Sequence, residues 1–90
     1  MSIPTIYNVA MASANHEYSK TLPNGAKVVL LQLRGDADLK LSYIEGESGT
    51  KYITIPAGDS KILEGEWVSN LTLYFQSPTA SQVAEIEWWG

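Results

Sequence analysis

Residues Leu71 to Gly90 read LTLYFQSPTASQVAEIEWWG, and this stretch decides the fold class. Leu71, Leu73 and Phe75 alternate with Thr72, Tyr74 and Gln76. Ala84, Ile86 and Trp88 alternate in turn with Val83, Glu85, Glu87 and Trp89. Successive side chains of a strand leave opposite faces of the pleat, so a period of two writes a half-buried β-strand. The chain therefore closes with two strands around a polar turn. Parity sends Trp88 toward a core and Trp89 to the opposite face.

Working outward, turn signals recur at short intervals: Pro23-Asn24-Gly25, Gly35 to Asp38, Gly46 to Gly49, Pro56-Ala57-Gly58, Ser69-Asn70 and Ser77-Pro78. Asn-Gly is the strongest of them, because both residues tolerate the positive φ of tight hairpin turns. Between the turns lie runs rich in Val, Ile, Leu, Thr and Tyr, at roughly 5–11, 16–22, 26–34, 38–45, 50–55, 61–67, 70–76 and 82–89. Strands at that spacing predict an all-β domain, a single small antiparallel β-sandwich of jelly-roll or Greek-key type. No window keeps the i, i+3, i+4, i+7 apolar pattern of a substantial helix. Val28 to Leu31 are apolar on both faces, which predicts a central strand, covered on both sides or locally bulged.

Ninety residues make one domain, and a chain this short has a thin stability margin. It has no cysteine, which excludes disulfides and thiolate metal sites. Six basic and ten acidic residues leave a net charge of -4, and no two of the cations are adjacent. A phosphate backbone requires a concentrated basic patch, so nucleic acid is not an expected partner. No apolar run reaches the length that spans a bilayer. Residues 1–15 carry no charged side chain. Ala10-Met11-Ala12 loosely matches a signal-peptidase site, but a basic n-region is missing and Pro4 and Asn8 interrupt the apolar stretch. The segment reads as an uncleaved extended N-terminal arm, with the sandwich over 16–90.

The inventory for catalysis is sparse. The single histidine, His16, has no recognisable nucleophile or orienting partner in the sequence and reads as a surface residue. Asp36/Asp38, Glu45/Glu47, Glu64/Glu66 and Glu85/Glu87 place carboxylates two apart, on one face of a strand. That spacing superficially suits calcium or a glycosidase pair. Charge on an outer sheet face that suppresses aggregation explains it better. Asn70-Leu71-Thr72 matches a glycosylation sequon by coincidence, and Gly46 to Gly49 lacks the lysine and helix of a phosphate loop. No enzyme activity, cofactor or metal is implied. Three Trp and five Tyr are a heavy load for one small core. Tyr74 and Trp89 leave the inward face by parity, and exposed aromatics are typical interface anchors.

The order Tyr18 to Leu22 with Pro-Asn-Gly, then Ala26 to Arg34, Tyr52 to Gly58, Leu71 to Ser77 and Val83 to Trp89 resembles the small β-sandwich structural proteins of tailed bacteriophages, over about residues 7–89. The resemblance implies a non-enzymatic virion component, such as a capsid decoration or accessory head or tail protein. It would be assembled in the host cytoplasm, on the major capsid or other virion proteins, as a homo-oligomer or lattice-ordered copies. Its expected contacts are the outer aromatics Tyr74 and Trp89 and, along the arm, Ile3, Ile6, Tyr7 and Val9, whose β-prone side chains suit strand addition to a neighbour. A carbohydrate- or receptor-binding module of a fibre or spike is the alternative, using exposed rings as stacking platforms.

Overall fold

The computed structural model describes residues 3–90. Eight strands follow in chain order: β1 (Thr5–Met11), β2 (Tyr18–Thr21), β3 (Val28–Arg34), β4 (Leu39–Ser42), β5 (Ile53–Ile55), β6 (Ser60–Glu64), β7 (Thr72–Gln76) and β8 (Gln82–Trp89). One 3-10 turn, Glu66–Val68, sits between β6 and β7. The strands form two four-stranded sheets, ordered β1-β8-β3-β6 and β2-β7-β4-β5, and every pairing is antiparallel. The sheets stack in a sandwich-like arrangement around a shared core.

Alternation sets which side chains reach that core. Leu73 and Phe75 of β7 and Ala84 and Ile86 of β8 are fully buried, as are Val29 and Leu31 of β3 and Leu39 of β4. Tyr7, Val9, Tyr18, Leu71 and Trp88 pack against this cluster from its margins. The Trp88 indole N–H is buried there with no acceptor in the protein. An unmet donor costs about 1–3 kcal/mol. Trp88→Phe keeps most of the ring's packing and removes that donor, so its thermal melt is expected to match or exceed that of the parent chain.

Three expectations need correction. First, residues 5–11 are not an arm: Thr5 to Met11 pair with β8 along their whole length, from Thr5 opposite Trp88 to Met11 opposite Gln82. The boundary expected at residue 15 falls in a connection between two strands of the same sandwich. Its burial alternates as in a strand with one face turned inward, Tyr7, Val9 and Met11 lying toward the core. Second, Pro23-Asn24-Gly25 does not close a hairpin. Gly25 does adopt a positive φ of 93°. The strands it joins, however, lie in different sheets, so the turn carries the chain across the sandwich. Third, β3 is an interior strand but is buried on one face only, with Val28, Leu30 and Gln32 half-exposed on the other.

Candidate functional site

Large apolar side chains collect at the far end of β4 and β5. β4 ends at Ser42, and the chain leaves through Tyr43 and Ile44 before returning by Tyr52 into β5. Their exposures are 37% for Tyr43, 60% for Ile44, 42% for Tyr52 and 47% for Ile53. β5 has three residues and stands at a sheet edge, so Ile53 stays open while Ile55 is buried. These residues line a shallow groove with Leu41 at its floor and Glu47 and Lys51 among its polar residues. Ser42 is buried beside it, accepting from the Ile44 N–H at 3.2 Å. Burial raises the Tyr43 phenol above its ordinary range, which keeps the ring neutral.

Trp67, in the 3-10 turn, extends this surface. Its ring meets Tyr43 edge to face at 6.1 Å between centroids. It is 53% exposed, yet its position is held. The indole N–H donates to the Glu64 carbonyl at 3.1 Å. A Cβ at Gly65 would lie 2.7 Å from that indole nitrogen, and Gly65 has a φ of +135°, which side-chain-bearing residues rarely adopt. Glycine therefore admits the ring against the backbone. The Lys40 ammonium stands 4.9 Å from the centroid of the Tyr52 ring. The result is a set of exposed aromatics already fixed in place.

The adjoining loop is tied down by Glu17. Its carboxylate accepts from the Gly46 N–H at 2.8 Å and the Ser48 N–H at 3.1 Å, and also from the Ser48 hydroxyl. Gln76 donates to that hydroxyl oxygen at 2.9 Å. The Ser48 hydroxyl above all holds the Glu17 carboxyl below its usual range; desolvation opposes it, and the two amides add to the lowering. A depressed folded-state pKa gives stability that is present above the unfolded value of about 4.5 and is lost as pH falls through the folded value. The urea midpoint of Glu17→Gln is expected below that of the parent chain at pH 7. The gap should narrow as the pH drops from 4.5 toward 3, and a gap independent of pH would refute the charge's role.

The sequence-derived contact residues do not form one surface. Ile3 is 90% and Ile6 63% exposed. Tyr7 and Val9 turn inward against the core, and the Lys20 ammonium lies 4.0 Å from the Tyr7 ring centroid. Trp89 is half-buried on the outer face of the first sheet, opposite Val28. Tyr74 is half-buried on the outer face of the second sheet, opposite Ser19 and Ser42. Parity placed Tyr74 and Trp89 outside correctly, but on opposite sides of the sandwich. Trp67 was missed because it stands at the end of the run expected over 61–67, whereas β6 ends at Glu64 and Gly65 turns the chain into the 3-10 turn that carries the ring.

Glu85 and Asp38, one carboxylate from each of two acidic pairs, have local partners. Glu85 accepts from Gln32 at 2.9 Å and from Arg34 at 2.9 Å, and these bonds, Gln32 first, lower its pKa. Asp38 accepts from the Ala57 N–H at 2.9 Å. His16 packs edge-on against Tyr18, with ring centroids 4.7 Å apart. Among the described residues no three His, Asp or Glu side chains converge as metal ligands. Asn70 adopts a positive φ of 62° in the turn before β7, and its amide donates to Asn24.

No family model matches this chain, and no curated protein matches it. Among solved structures it is similar to a de novo designed double-stranded β-helix determined in solution by NMR, with a TM-score of 0.53 and 18% identity over 97% of both chains. At that identity the likeness shows the fold alone.

Proposed function

We propose that this protein is a non-enzymatic structural component of a bacteriophage virion that adheres to a repeating capsid or tail surface through the Tyr43–Trp67 end of the sandwich. The observation that carries the reading is Trp67, half-exposed yet locked by Gly65 and Glu64. An aromatic fixed before contact loses little conformational freedom on binding, which is the character of an interface anchor. Fold order supports the reading. The strand orders β1-β8-β3-β6 and β2-β7-β4-β5 support reading the sandwich as a jelly roll, an architecture used by viral capsid proteins. Lattice repetition would turn modest single contacts into high avidity.

Jelly rolls also serve as lectin domains. Tyr43, Tyr52 and Trp67 beside Ser42, Glu47 and Lys51 combine stacking rings with hydrogen-bonding groups, which favours a glycan-binding second reading. Two measurements separate them. Virions from the source of this chain should contain it in many copies, released in proportion when Trp67 is replaced by alanine. A chain absent from particles that binds a glycan array, and loses that binding on the same substitution, would establish the second reading instead.

A further inference from the structure

At the opposite edge of the sandwich, β1 is the outermost strand of its sheet and, among the described residues, pairs only with β8. The Ser81 N–H donates to the Ala12 carbonyl at 3.3 Å, in line with the register of β1 on β8. Antiparallel pairs alternate between bonded and non-bonded. Ile6, Asn8 and Ala10 therefore spend their backbone bonds on β8. The N–H and C=O groups of Thr5, Tyr7 and Val9 point out along the free edge.

Proteins usually blunt such an edge with charge, proline or shortness. The other three edges follow the rule. β6 carries Lys61 and Glu64, β2 has four residues including Lys20, and β5 has three residues before Pro56. β1 has seven residues, TIYNVAM, with no charge and no proline. In a chain of net charge -4, it is the edge where a like-charged body can approach without facing charge.

We infer that β1 is a self-pairing edge, and that two copies of this chain join antiparallel through it into one continuous eight-stranded sheet. The strand is complementary to itself about Asn8. In that register Tyr7 exchanges both backbone bonds with Val9 of the second copy, and the reverse. Ile6 lies beside Ala10 and Thr5 beside Met11, large against small on each face. Asn8 meets its own copy on the two-fold axis as a non-bonded pair, about 4.5 Å apart at Cα. Such an interface is isologous and closes at two chains. Glu85 of β8, opposite Asn8, faces its counterpart across three strand spacings, about 14 Å, which exceeds the physiological screening length of about 8 Å, and Glu87 stands farther still from its own. This inference is independent of the adhesive reading, because it uses the other edge.

The test is sedimentation of the full chain over a rising concentration series, with Asn8→Lys beside it. In the isolated chain the new ammonium faces Glu85, the partner of Asn8 across the β1–β8 pair, so the monomer should melt as before. On the dimer axis two ammoniums would oppose each other directly, which destabilises a strand pair. The expected result is a doubled mass for the parent chain and a single-chain mass for Asn8→Lys. Amide exchange on the parent chain gives a second measure, free of any variant. On dilution the Tyr7 and Val9 amides should lose protection, while Ile6 and Asn8 keep theirs. A parent chain that sediments singly at every concentration, a dimer that survives Asn8→Lys, or Tyr7 and Val9 protection indifferent to dilution would each overturn the inference.

Discussion

Phe75→Ala is expected to cost about 3–5 kcal/mol, the range for emptying a large aromatic site in a core. Phe75 is fully buried in β7, between Tyr18 on β2 and Leu41 on β4. It thus joins three strands of one sheet and faces the other sheet. A domain of this length has only about 5–13 kcal/mol in total. The variant should therefore melt about 15–30 °C lower. The neighbouring Tyr74→Ala serves as the control, because Tyr74 leaves the other face and is only half-buried. Its loss should be much smaller, and equal losses at the two positions would show that β7 does not present the faces described. Calorimetry or a circular-dichroism melt measures both.

The second large effect is on adhesion. Burying the exposed half of the Trp67 indole against a partner removes about 100 Å² of ring from water, worth about 2 kcal/mol. Trp67→Ala is then expected to weaken binding to the particle surface about 30-fold. Tyr43→Ala should weaken it less and non-additively, because the two rings touch and each supports the other's position. Stability should change little for Trp67→Ala, since the ring is half in water already and its removal opens no core cavity. Equilibrium binding together with a melt of each variant separates the two effects. Unchanged binding by Trp67→Ala would remove this end of the sandwich from the interface and leave Ile6 and Trp89 on the outer face of the first sheet as the alternative.

Much of the fold was legible before any coordinates. β1 and β8 occupy the residues expected of them, and Leu73, Phe75, Ala84 and Ile86 point inward as their alternation requires. Strand termini were less legible. The run expected over 50–55 shortens to Ile53–Ile55, because Thr50 and Lys51 turn back on Glu47 through backbone hydrogen bonds. The candidate site was legible only in part. Tyr74 and Trp89 are outward by parity, but the assembled surface is made by Tyr43, Ile44, Tyr52, Ile53 and Trp67. All five sit at or just beyond strand ends or in the 3-10 turn, where burial no longer follows alternation.

The sequence by itself determined that this is an all-β chain, which side chains of each strand are apolar, and where the backbone can turn, since those follow from the pleat and from local φ preferences. Tertiary structure alone decided the partners. Only β4 and β5 pair as sequence neighbours; β1 finds β8, β2 finds β7 and β3 finds β6. A turn fixes the direction of the chain over a few residues. Which strand lies alongside is chosen by the joint burial of two sheets, a property of the whole molecule. The same reason made an edge strand read as an arm, and it left a tryptophan just past the end of β6 as the most prominent ring on the surface.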